Sequence, residues 1–149
     1  DTNLKVNPPV RKRSDMLALR QAVADGFIDC IASHHLPQDW DDKVCEFEYA
    51  KFGMIGLQTS YAAVQTVLPN LSAEKIAALF SINARKIFGL HEIKIEEGKQ
   101  AELTLFNKTD FTLQKENIKS KSFNSAFINV PLQGNVIGII SKGNLILNN

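Results

Sequence analysis

Residues Ser14 to Ser33 read SDMLALRQAVADGFIDCIAS and hold two hydrophobic periodicities joined by a single glycine. Met16, Leu17, Leu19, Ala22 and Val23 recur at the spacing of one helical face, Ser14 is a good N-cap residue, and Gly26 can end the helix. FIDCIAS then follows as a short, nearly continuous apolar run around Ile28 and Ile31. That is the pattern of a strand buried on both faces, as in a parallel sheet covered by helices. Helix, glycine turn and buried strand together predict an α/β unit.

Downstream, His34 to Gly53 carries Pro37, Trp40 and several acidic residues with no sustained period, so it reads as a long loop leaving the end of that strand. Long loops in that place usually carry function. IGLQTSYAAVQTVL (55–68) and SAEKIAALFSINARKIFG (72–89) predict two more helices, the second opened by Ser72 and closed by Gly89. Phe80, Ile82 and Phe88 read as core packing on that helix. From His91 the texture changes. IKIEEGKQAELTLF, AFINV, NVIGIIS and LILNN are short β-branched runs divided by Gly, Asn and Lys turns, which predicts an antiparallel β module with a hairpin at SKGNL. The expected organisation is therefore an α/β unit over residues 1–90 and a small β domain over residues 91–149.

Composition narrows the class. The chain has 149 residues, 44% hydrophobic and 22% charged, which indicates a globular chain rather than a disordered one. Seventeen basic and sixteen acidic residues leave a net charge of +1 with no basic stripe, so no nucleic-acid or acidic-membrane partner is expected. Cys30 lies in an apolar run and reads as a small buried hydrophobe, and with Cys45 as the second cysteine no disulfide framework is expected. The first residues, DTNLKVNPPVRKRSD, lack a signal-peptide core, and no apolar run approaches the roughly 18 residues of a membrane span. A cytoplasmic location is the expectation. A first residue of Asp1, within strand-to-loop sequence, suggests a piece of a longer protein.

Two of the three histidines, His34 and His35, sit in IASHHLPQ directly after the apolar run. Loops that follow parallel strands are where α/β enzymes place their chemistry. Neighbouring side chains at a strand end point to opposite sides, however, so the pair does not easily ligate one metal. No CxxC, HxH or HExxH spacing accompanies them, and a hydrogen-bonded histidine beside an exposed one explains the pair equally well. Asp39, Asp41, Asp42 and Glu46 lack the glycine-bearing spacing of a calcium loop and read as a solvated acidic stretch.

Taken together, DTNLKVNPPVR, DGFIDCIASHHLP, EFEYAKFGMIGLQT, and INARKIFGL followed by IEEGKQAELTLF resemble the C-terminal third of a dihydroorotase of the amidohydrolase superfamily, the type related to the multifunctional pyrimidine-synthesis enzymes. The family shows K-x-N-P-P-L-R, T/S-D-H-A-P-H, E-x-A-x-F-G-I-x-G-x-E-T, N-P-A-x-x-x-G-L and G-x-x-A-D-L in this order, and the likeness covers almost the whole chain. The resemblance implies the C-terminal strands and helices of a metal-dependent-hydrolase (β/α)8 TIM barrel over residues 1–90 and a small β-sandwich over residues 91–149. It also implies a binuclear zinc centre whose hydroxide attacks the cyclic amide of dihydroorotate, with an aspartate that ligates metal and carries a proton to the leaving nitrogen.

That aspartate position is occupied here by His34, and the motif's second, substrate-contacting histidine by Gln38. An imidazole can bind one zinc or act as a base, but it brings no negative charge to a pair of dications. The resemblance further implies substrate contacts from Asn7 and from the Phe52-Gly53 loop, an arginine of the NPP element at Arg11, and a structural role for His35. Asn7 before Pro8-Pro9 is also a turn former, Arg11 suits an ion pair, and His91 reads as an exposed polar residue. The remaining metal ligands would lie upstream of Asp1, so the chain alone is not expected to be active. The reading that follows is a dihydroorotase-like cyclic amidohydrolase acting on dihydroorotate or carbamoyl aspartate, impaired in turnover, in a homo-oligomer that covers its apolar faces. The alternative is a noncatalytic pseudo-dihydroorotase that supports aspartate carbamoyltransferase. A hydantoinase or allantoinase is less well matched, because KVNPPVR and FGMIGLQT favour the dihydroorotase branch.

Overall fold

A computed structural model describes residues 1–148. After a 3-10 turn at Thr2–Leu4, the first helix, α1, spans Arg13–Asp25. Its cap is Lys12, not Ser14: the Lys12 carbonyl accepts the Met16 N–H at 3.1 Å, which places Ser14 inside the first turn. Gly26 ends the helix as expected, at φ 86°, and Phe27 N–H returns to the Ala22 carbonyl at 2.9 Å. A left-handed residue here suits glycine because it carries no Cβ. The Lys75 ammonium adds a bond to the Ala24 carbonyl at 2.6 Å, placing a cation where the helix dipole is negative.

Residues 27–33 do not form the expected strand. A parallel strand is defined by neighbours on its edges, and among the described residues none pairs with this run until the isolated parallel bridge between His35 and Met54. Phe27 is accordingly 79% exposed, and Cys30 is half-buried rather than enclosed. What holds the run is a long helical segment. Ile31 N–H donates to the Leu79 carbonyl at 3.0 Å, and Asn83 Nδ2 donates to the Asp29 carbonyl at 2.8 Å.

That segment comprises α3 (Ala73–Ala77), a π turn (Ala78–Ile82) and α4 (Asn83–Ile87), entered through Ser72, whose hydroxyl accepts the Lys75 N–H. In the π turn Asn83 N–H reaches five residues back to the Ala78 carbonyl, and the Leu79 carbonyl accepts from Ile31 instead. A wide turn inserts a residue and rotates later side chains about the axis. The expectation for Phe80, Ile82 and Phe88 divides accordingly: Phe80 packs against the core, whereas Ile82 and Phe88 are exposed.

The preceding helix, α2, spans Ser60–Val67 and begins five residues later than its sequence pattern suggested. Gly56 and Leu57 N–H are bonded to the His35 side chain, so the chain has to turn there before a helix can start. Three antiparallel strands follow in the order β1 (Leu103–Thr112), β2 (Pro131–Ser141) and β3 (Asn144–Leu147). The expected hairpin is present between β2 and β3, with Lys142 and Gly143 at φ 49° and 77° in the two-residue turn. Asn149, the end of the LILNN run, lies outside the described residues. Ile93, Ile95 and AFINV are not in strands: Ile95 is 85% exposed, and Ile128 makes only an isolated bridge with Leu113.

The core draws on both halves of the sequence. Val23, Tyr61, Leu71, Ile76 and Leu79 are buried together, with Phe106 of β1 and Val136 of β2 packed against them. Tyr61 stacks at a tilt on Phe106, centroids 4.8 Å apart, and its hydroxyl donates to the Asn107 carbonyl at 2.9 Å. Gly134 lets helix and sheet approach this closely, since a Cβ there would stand 2.8 Å from Tyr61 Cε1. The described sheet thus packs on α2. Burying a side chain such as Leu79 contributes about 2 kcal/mol.

Candidate functional site

The loop that leaves residues 27–33 is shaped by its two histidines in different ways. His34 is exposed and sits at φ 44°, in the left-handed region that few non-glycine residues occupy. His35 is held in place. Its Nδ1 accepts the N–H groups of Gly56 (3.1 Å) and Leu57 (3.3 Å), and its backbone bridges to Met54. With Nδ1 occupied as an acceptor, the ring of His35 is a fixed anchor for the turn before α2.

Gln38, Phe52 and Gly53 converge. Gln38 Nε2 donates to the Phe52 carbonyl at 2.8 Å, and Gly53 N–H donates to the Lys5 carbonyl at 2.9 Å. The Lys5 ammonium lies 5.0 Å from the centre of the half-exposed Phe52 ring and donates to the Glu48 carbonyl at 2.7 Å. The N-terminal KVNPP element is therefore stitched to the FG loop two residues before Asn7, which is itself exposed. Arg11 pairs with Asp15 at 3.3 Å on the helix surface, and His91 is exposed, its carbonyl accepting from Arg85.

Two residues that sequence reading passed over complete the arrangement. Asn124 is 5% exposed, and its side chain accepts from Gln38 N–H (3.2 Å) while donating to the carbonyls of Leu36 (3.1 Å) and Gly53 (3.2 Å). Its own carbonyl accepts from Ile55 N–H. Lys43, 7% exposed, donates to the carbonyls of Lys51 (2.8 Å) and Gly53 (3.0 Å). Burial, and then the nearby Lys5 charge, hold Lys43 below the ordinary lysine value of 10.5, while Cys45 acts in the opposite sense. Neither residue carries a motif: Lys43 stands among acids and reads as solvated, and Asn124 is 86 residues from Gln38. Within the acidic stretch, Asp42 pairs with Lys51 at 3.0 Å.

A binuclear zinc centre needs several converging ligands. Among the described residues, no group of three or more His, Cys, Asp or Glu side chains comes together, so these residues do not by themselves fit such a centre. What they build is a hydrogen-bonded loop system around Phe52 and Gly53, with His34 exposed on the preceding segment.

The fold of this chain is similar to those of solved hydantoinases. The D-hydantoinase (dihydropyrimidinase) from Thermus sp. superposes with a TM-score of 0.85 over 99% of this chain and 34% of its own, at 20% identity. The L-hydantoinase (dihydropyrimidinase) from Arthrobacter aurescens gives 0.85 over 97% and 34%, at 25% identity. The profile of the Amidohydrolase family matches residues 3–146, and the chain belongs to that family. Among curated proteins it is similar to the dihydroorotase of Endomicrobium trichonymphae, 38% identical over 98% of this chain and 36% of that protein. The dihydroorotase of Elusimicrobium minutum is likewise 38% identical, over 99% and 35%. The chain thus spans about a third of the length of the curated relatives it matches, 36% and 35% respectively.

Proposed function

We propose that this chain is part of a dihydroorotase-like cyclic amidohydrolase of pyrimidine biosynthesis, acting on dihydroorotate or carbamoyl aspartate, in which His34 impairs hydrolytic turnover. In this reading residues 1–90 contribute the last strands and helices of a (β/α)8 barrel, and residues 91–149 contribute a β-sandwich domain. The observation that carries it is the FG loop: Phe52 and Gly53 are held by Lys5, Gln38, Lys43 and Asn124, next to the His35-Leu36 backbone that follows His34 and bonds to Met54. A fixed backbone edge beside a half-exposed aromatic ring suits a flat ring bearing amide groups.

The impairment follows from charge. Ring opening requires a proton to reach the departing nitrogen, and a carboxylate at this position offers both a base and a negative charge. His34 offers an imidazole with no negative charge, on a left-handed backbone. The assay is ring opening of dihydroorotate by the natural gene product, followed by ultraviolet absorbance, with zinc content measured in parallel. Turnover about 100-fold or more below that of the Elusimicrobium minutum dihydroorotase is expected. Turnover equal to that relative's overturns the impairment.

One contact favours a second reading, a noncatalytic homologue that supports aspartate carbamoyltransferase. Gln38 spends its side-chain amide on the Phe52 carbonyl and so closes the loop from within. Co-purification with the transferase, together with absence of turnover, distinguishes this reading from the first.

A further inference from the structure

Lys43 is a buried cation with no carboxylate within ion-pair distance among the described residues. An ammonium withdrawn from water is costly unless its donors are satisfied. Here two of its three donors are spent on the carbonyls of Lys51 and Gly53, one on each side of Phe52. Of the three amides in this stretch, Lys51 N–H donates to the Asp42 carbonyl and Gly53 N–H to the Lys5 carbonyl. Phe52 N–H has no partner among the described residues, while the Phe52 carbonyl is taken by Gln38.

We propose that Lys43 is a positioning residue which, by bridging the two carbonyls that flank Phe52, fixes the Phe52 N–H as the loop's free donor toward a ring carbonyl of the substrate. The inference rests on the reading that this loop faces a cyclic amide. Backbone donors are effective in such a role because they need no reorganisation when the ligand arrives. Lys43 itself touches no substrate; it acts through the peptide groups it holds. Asn124 supports the Gly53 carbonyl from a second direction, so loss of Lys43 loosens the loop without dismantling it.

The test uses the natural full-length protein, its Lys43→Met variant and dihydroorotate as the probe. Affinity is measured by calorimetry, amide exchange at Gly53 by mass spectrometry, and the Phe52 amide resonance in protein labelled with 15N-phenylalanine. Dihydroorotate is expected to shift the Phe52 resonance of the unmodified protein, which requires no variant to fold. Lys43→Met is expected to weaken binding about tenfold and speed Gly53 exchange by a similar factor. Binding by the unmodified protein without a Phe52 shift overturns the proposal, as does a Lys43→Met variant with unchanged affinity and unchanged exchange. If the unmodified protein does not bind dihydroorotate, the functional reading fails. Exchange then decides the clamp alone: faster exchange in the variant retains it, and unchanged exchange removes it.

Discussion

A Cβ at Gly53 would stand 2.6 Å from Leu36 Cδ2, on a backbone held at φ 115°. Neither demand can be relaxed cheaply, because the Gly53 amide is bonded to Lys5 and its carbonyl to Lys43 and Asn124. Gly53→Ala is therefore expected to destabilise the protein by about 3 kcal/mol, combining backbone strain with overpacking. Chemical denaturation measures it, and a change below about 1 kcal/mol would show that the loop yields. At this scale the site was only partly legible. Gln38, Phe52 and Gly53 came from motif resemblance and do meet. Asn124 was beyond reach, because its value lies in contacts with residues 71 to 88 positions away, and a single asparagine in FNS advertises none of them.

Among elements, the seam between α2 and the sheet invites two measurements. Tyr61→Phe keeps the ring against Phe106 and removes the hydroxyl bond to the Asn107 carbonyl. A loss of about 1 kcal/mol is expected in a denaturation experiment, and no loss would mean that the hydroxyl is as well served by water. The second concerns Glu102, whose carboxylate accepts from Ser141 Oγ at 2.7 Å and Lys142 N–H at 3.1 Å, fastening the start of β1 to the β2–β3 turn. The Ser141 bond first, and then the Lys142 amide, hold Glu102 below its ordinary 4.5. A carboxyl with a lowered folded-state pKa stabilises fully above its unfolded value and loses that contribution as pH falls through the folded value. Thermal melts of the parent should approach those of Glu102→Gln as pH drops below 4.5, and a constant gap would contradict this.

Helices were legible because their evidence is local: α1 declares itself by apolar spacing and Gly26. Its cap was misplaced because the backbone at Lys12, not the favoured side chain of Ser14, sets where helical bonding starts. The FIDCIAS run was misread for a related reason. Its composition is that of a parallel strand, but pairing is a property of neighbours, and its partners here are Leu79 and Asn83 on a helical segment.

At the scale of the molecule, large apolar side chains stay outward on several faces, Phe27 at 79%, Phe88 at 74% and Ile95 at 85% exposure among them. The chain spans about a third of its curated relatives, 36% of one and 35% of another, so function is properly tested in the natural gene product. In the proposed function His34 takes the place of the family's proton-handling aspartate, and everything else in that reading depends on it. The most direct measurement is the rate of dihydroorotate ring opening by the natural protein and by its His34→Asp variant under identical conditions. A rise of about 100-fold or more in the variant is the predicted result, the size expected for restoring a general acid–base group. A variant no faster than a turning-over parent would contradict the account, because His34 would then be a working catalytic group and not an impairment.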